Sequence, residues 1–435
     1  MAAADGWTLM NRPYRSILLG ALVVTALAGT AVSAAQQDAE ERFVAAESAF
    51  ASGDADAALR MLDELVADTP PARFPDSRWR AAAETRAGEI ELALGRADDA
   101  AGRFVAVIEG EVTSSWTSRA RLGLATTLLW SRDWAAAAPL LQEVVDGFTR
   151  EDAGADPVAG LLAAARLTLL HRVWLRPAAG GQPWQSAGRY DISAPLERPM
   201  GIAAGSNGVL VSDEGRDALV FRDSTGNAAS FPIADPQRPW WSDNGDAYVA
   251  ARATVAAPLS AASLSFTYTA GGRQRAVEDI RAGARGALGE WVLLDHDSKQ
   301  VLLFDTDRTF LRALDMRNGE PVDLVRGPRG RLFVIEKDRR EVMIFAADGS
   351  LQGGFAVDTW REPYALAADA AGLVYVLDRD AKRIDVFDPD GGILWTVGPR
   401  LPGGVELDDP RDIAVDGSGQ ILVADRGLGV VVVIQ

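Results

Sequence analysis

Three features of the 435-residue sequence predict a multidomain chain, with a tandem α-helical array first and an all-β, six-bladed propeller after it. Up to about residue 176 the chain is rich in Ala, Leu, Glu and Arg, all good helix formers, and short polar junctions recur at intervals of 37 to 42 residues. From about residue 188 the apolar pattern changes from a helical period to strand alternation. In that second part, turn glycines recur at intervals of 37 to 47 residues, which is the spacing of four-stranded propeller blades. The length alone exceeds one ordinary core.

Residues 1–35 read as a secretory address. Arg12 and Arg15 precede an unbroken apolar run from Ile17 to Gly29, and small residues Ala31 to Ala35 follow. The expectation is an exported protein, periplasmic or extracellular, cleaved after Ala34 or Ala35. Extending the apolar run to Ala35 approaches the length of a spanning helix, so an uncleaved N-terminal anchor is the alternative, and membrane contact is expected only in that case.

Residues 36–176 contain three similar junctions: Gly53-Asp54-Ala55, Gly95-Arg96-Ala97 and Arg132-Asp133-Trp134. Glycine ends one helix in a left-handed conformation, and the Asp after it caps the next. Ala45, Ala49, Gly53 and Ala57, and again Ala93, Gly95 and Ala100, follow the small-residue pattern of tetratricopeptide repeats, which this region resembles. The resemblance implies stacked helical hairpins with a groove for peptide segments. Trp116, Trp130, Trp134 and Trp174 either fill the gaps between helices or line that groove. A last helix, about Pro157 to Leu175, would cap the open end.

Residues 177–187 are rich in Pro and Gly and read as a linker. In 188–435 a unit recurs: Pro199-Met200-Gly201-Ile202, Pro321-Val322-Asp323-Leu324, Pro363-Tyr364-Ala365-Leu366 and Pro410-Arg411-Asp412-Ile413. Each precedes a glycine turn and an apolar run ending in an acid: Asp213, Asp295, Glu336, Asp378 or Asp425. Gly208, Gly245, Gly289, Gly330, Gly372 and Gly419 count six blades. The second, around Pro239 to Val277, lacks the acid, which leaves five as the competing count. The sixth needs a fourth strand, and Tyr190-Asp191-Ile192 is placed to supply it and close the ring. These blades resemble the NHL-repeat family, which implies a propeller used for protein–protein contact.

The composition excludes several functions. A formal net charge of -17 disfavours nucleic acid and anionic membrane surfaces. With no cysteine there are no disulfides, thiolate metal sites, thiol nucleophiles or lipoprotein anchors. Only His171 and His296 are available as imidazoles. No P-loop, GxSxG or HExxH occurs. No catalytic residue, metal centre or cofactor is therefore expected. The recurring acids read as turn-organising groups, because a site breaks symmetry and these repeat.

Loops entering each first strand and leaving each second strand share one face of a propeller. That face would carry Arg198, Arg238, Trp240, Trp241, His296, Trp360, Arg361 and Arg411, a mixture typical of interface anchors. The function expected is a non-catalytic cell-envelope scaffold that binds protein partners through this face and the helical groove. The alternatives are a six-bladed-propeller hydrolase or lyase, with His296 as base between Asp295 and Asp297, and a glycan or polymer binder that stacks sugars on exposed tryptophans.

Overall fold

The computed structural model describes residues 34–69, 78–110, 114–152, 155–175 and 183–435. The N-terminal address falls outside them, except for the start of the first helix. Among the described residues no helix is long and apolar enough to cross a membrane.

Seven helices come first among the described residues: α1 (Ala34–Ala51), α2 (Ala55–Asp68), α3 (Arg78–Ala93), α4 (Ala97–Ile108), α5 (Ser115–Trp130), α6 (Trp134–Thr149) and α7 (Pro157–Leu170). The first six pair as antiparallel hairpins, α7 packs on α6, and all stack in sequence order. The three junctions turn alike. Gly53, Gly95 and Arg132 all adopt positive φ. Asp54 and Asp133 accept the backbone N–H of Ala57 and Ala136, at 2.9 and 3.1 Å, and so cap α2 and α6. Arg96 stands at the middle junction and supplies no side-chain cap.

Six four-stranded antiparallel sheets follow. All six turn glycines have positive φ, so the sixfold count holds and the five-blade alternative falls. Blade 2 has no acid because its second strand, Ala247–Ala251, returns through the tight turn Arg252-Ala253, leaving no loop to organise. A hairpin of Thr267–Ala270 and Arg273–Ala276 is inserted after that blade. Phe266 and Tyr268 seat it against Trp291, Phe304 and Phe310 of blade 3.

The ring closes as expected in kind but three residues earlier in place. Ala187–Arg189, not Tyr190–Ile192, pairs with Val430–Ile434 as the fourth strand of blade 6. Tyr190 adds one backbone hydrogen bond to Val431, and Ile192 is buried in the core between blades 6 and 1. The presumed linker is anchored from Trp184 onward: its ring is buried and its indole donates to the Gly419 carbonyl at 2.8 Å.

The helical array stands on the propeller by its hairpin tips. Gly53 meets Thr306 and the Leu288 carbonyl of blade 3, and Gly95 meets Arg329 of blade 4. Arg132 pairs with Asp388 and Asp390 of blade 5. Leu169 and Arg172 pack on Gly419 of blade 6. Successive hairpins thus meet successive blades. The last helix does more than cap an open end, since it docks on blade 6.

Candidate functional site

The five repeated acids are buried and serve the fold. Asp213 accepts backbone N–H groups of Glu197, Arg198 and Gly215 at 2.8 to 3.1 Å. Asp378 does the same for Arg361, Glu362 and Ala381, and Asp425 for Asp408, Asp409 and Leu428. Glu336 takes Glu320, Asp338 and Arg339; Asp295 takes Asp279 and the Ser298 hydroxyl. Each carboxylate ties the loop into its own first strand to the loop leaving its second strand. Backbone donors that would otherwise be orphaned are satisfied, and the loop face is held rigid.

The eight residues expected on that face separate into two groups. Arg198 and Arg361 are exposed, and neither guanidinium is bound tightly: Arg198 lies 3.9 Å from Glu214, and Arg361 has no ion-pair partner among the described residues. His296 is also exposed, with Nδ1 3.2 Å from the Asp279 carboxylate. Arg411 is mostly covered and donates to Asp409 at 2.7 Å, an acid it shares with Arg426.

The tryptophans are a correction. Trp240 is 7% exposed, wedged between blades 2 and 3 against Gly283. Trp360 is 2% exposed, its indole donating to Asp385 at 2.8 Å. Trp241 is half-buried, edge-on to Phe221 and over Gly205. Large rings at these positions fill the gaps between neighbouring blades, so Trp240 and Trp360 offer no open face for a sugar.

Arg238 is the second correction. It turns inward rather than lying on the surface. From blade 2 it crosses the central channel, and Nη1 donates to the Val322 carbonyl at 3.0 Å and Nη2 to that of Tyr364 at 2.9 Å. Nε lies 3.3 Å from Asp412 and 3.5 Å from Asp323. Asp412, in blade 6, accepts the Ile202 N–H of blade 1 at 2.8 Å, and Asp323, in blade 4, accepts that of Leu366 in blade 5 at 2.7 Å. One guanidinium and two carboxylates therefore join five blades at the axis. Burial lifts both acids; Arg238 opposes this, and Asp412 with Asp323 beside it is pushed up to about 7. The pair was legible: each acid occupies the third position of a repeated Pro-x-x-apolar unit where blades 1 and 5 carry Gly201 and Ala365.

Above Arg238 the channel mouth widens to a cavity of about 230 Å³ lined by Arg281, His296, Glu320, Lys337 and Tyr364. Lys299 and Lys337 both bind Glu320, and their hydrogen bonds hold it down at about 2. Asp279, His296 and Asp297 bring possible ligand atoms within 4.8 Å of one another. Asp279 is already engaged by Arg281 at 2.7 Å and by His296.

In the array the tryptophans fasten the two parts of the chain together. Trp134 and Trp174 stack with ring centroids 3.6 Å apart, and Trp174 meets Trp395 of blade 5 edge-on at 5.6 Å. Trp184 continues the contact to Trp395 and Tyr375. Trp130 is half-buried in the core of α5 to α7, and Trp116 lies between Phe43 and the Arg119 guanidinium. An ion-pair ladder crosses the first helices of the hairpins. Glu47 of α1 binds Arg86 of α3, and Glu89 of α3 binds both Arg86 and Arg119 of α5. Burial works against the Glu89 charge, but the two arginines hold its carboxyl below the usual range.

No protein-family model matches the sequence, and no curated protein matches it. Solved structures similar to the propeller part include a streptogramin B lyase, 13% identical over 57% of this chain and 97% of that one, with a TM-score of 0.45. A catalytically inactive virginiamycin B lyase from Staphylococcus aureus with quinupristin is 11% identical over 57% of this chain and 99% of that one, TM-score 0.44. A luciferin-regenerating enzyme is 12% identical over 57% and 95%, TM-score 0.43.

Proposed function

We propose that the chain is a non-catalytic binding scaffold of the cell envelope, with tetratricopeptide-like hairpins mounted on an NHL-type propeller. Protein partners would dock on the loop face and along the inner helices of the array. The supporting observation is the mounting: hairpin tips set on blades 3, 4 and 5, the last helix set on blade 6, and the contact secured by Trp134, Trp174, Trp395 and Trp184. A flexible tether would give two independent modules; this contact gives two binding surfaces at a set angle.

The test is affinity capture from envelope extract of the native host with the wild-type chain and with an Arg198→Glu/Arg361→Glu variant. Both residues are exposed and outside the core, so the variant keeps its fold. A partner lost in the variant assigns the interface to the loop face. A partner retained by it assigns the interface to the array. Recovery of no specific protein by either chain counts against the scaffold.

A second reading, a hydrolase or lyase, is favoured by one geometry. Asp279 orients His296 at the channel mouth, beside Arg281 and Lys337. Screening lactones and esters tests it, and turnover that persists in His296→Ala would remove that residue from the mechanism.

A further inference from the structure

Two rungs of the array's ion-pair ladder are complete, and the third has no acid. Glu47 and Glu89 occupy the same place in their hairpins, six residues before the left-handed Gly53 and Gly95. Each is bound by an arginine from the first helix of the next hairpin, Arg86 and Arg119. Six residues before the left-handed Arg132 stands Thr126. The arginine facing it from α7 is Arg166, which donates to the Thr126 hydroxyl; that hydroxyl in turn donates to the Leu122 carbonyl at 2.7 Å.

Arg166 has no carboxylate within ion-pair distance among the described residues. Burial pulls the guanidinium down to about 10. The other crowded arginines of the array are compensated: Arg86 has two acids and Arg103 three. A guanidinium crowded away from water without a counter-charge is unfavourable, and proteins ordinarily supply one. The residue as a whole is half-buried rather than fully enclosed, so Arg166 borders the array's surface.

We infer that Arg166 receives an aspartate or glutamate side chain of an acidic partner peptide lying against α5 and α7. This rests on the binding reading above and supplies its chemistry. The two earlier rungs show the kind of group that is missing: a side-chain carboxylate, Glu47 or Glu89, set against the arginine of the next hairpin. A single cation, with a hydroxyl beside it and no second basic group bound to that hydroxyl, matches a monoanionic carboxylate better than a dianionic phosphate. The partner's acid would complete the third rung from outside.

The experiment titrates the full chain into fluorescein-labelled (Glu-Ala)4 and (Gln-Ala)4 peptides and follows fluorescence anisotropy. The wild type is expected to prefer the glutamate peptide by about tenfold or more. Arg166→Gln should erase that preference. Thr126→Glu should erase it too while raising Tm, because the rung is then completed within the chain. That gain in Tm should vanish in the Arg166→Gln background, which separates the rung from a folding defect. Equal binding of the two peptides by the wild type would overturn the inference. So would an undiminished preference in either variant, or displacement of the peptide by inorganic phosphate at concentrations where chloride does not displace it. If both variants recover the same partners from extract as the wild type, the carboxylate receptor falls and the binding scaffold stands.

Discussion

Two sets among the propeller's buried acids do opposite things. Asp213, Asp295, Glu336, Asp378 and Asp425 each act inside one blade and take donors from their own backbone. Asp323 and Asp412 act between blades and share one guanidinium that arrives from a third. The repeated set could be lost one at a time with local damage. The unrepeated pair ties the ring together at its axis, and its charge balance depends on a single residue. Repetition in a sequence marks what each unit needs for itself; a break in repetition marks what the whole ring needs.

Arg238→Leu should show the largest effect. It leaves Asp323 and Asp412 buried without a counter-charge, at a cost of about 3–5 kcal/mol. Urea denaturation should find the loss greater at pH 8 than at pH 5, since protonated carboxyls tolerate burial. Asp412→Asn sharpens the same comparison. The folded state holds a proton on Asp412 up to about pH 7. The unfolded chain releases that proton near the ordinary carboxylate value of about 4. Stability from this group is therefore complete below that value and is lost as pH rises toward 7. The amide variant should lack that decline, a difference on the order of 1–4 kcal/mol between pH 4.5 and 7.5.

Asp378→Ala should cost less, about 1–3 kcal/mol, because it orphans N–H groups in one blade only. The same denaturation measures it. A loss from Asp378→Ala as large as that from Arg238→Leu would erase the distinction between the two sets. The smallest effect belongs to the Arg198→Glu/Arg361→Glu pair, which should shift stability by no more than about 0.5 kcal/mol. A larger fall would place these side chains in contacts that hold the loops.

The repeat arithmetic was the most legible part of the sequence. Glycines at turns must adopt positive φ, so Gly208 to Gly419 mark blades whatever fills the strands between them. The repeated acids were legible for the same reason. Trp240 and Trp360 were misplaced because burial between blades depends on the neighbouring blade, tens of residues away, and local pattern does not report it. Arg238 was misplaced because its position in a loop into a strand says nothing about which way a long side chain turns. The closing strand shifted by three residues because the last strand offers backbone groups at every position and carries no mark of register.

The docking of hairpins on blades has a geometric consequence. Two repeats of different architecture share a common step. Blades of a six-bladed ring follow one another at about one sixth of a turn, whereas stacked helices alone would wind at a pitch of their own. Fixing Gly53, Gly95, Arg132 and Leu169 to successive blades makes the ring a template for the curvature of the array. The two periodicities behave as meshed gears. Adding or deleting one hairpin would advance every earlier hairpin by one blade, so variation in repeat number in one part is constrained by the number in the other.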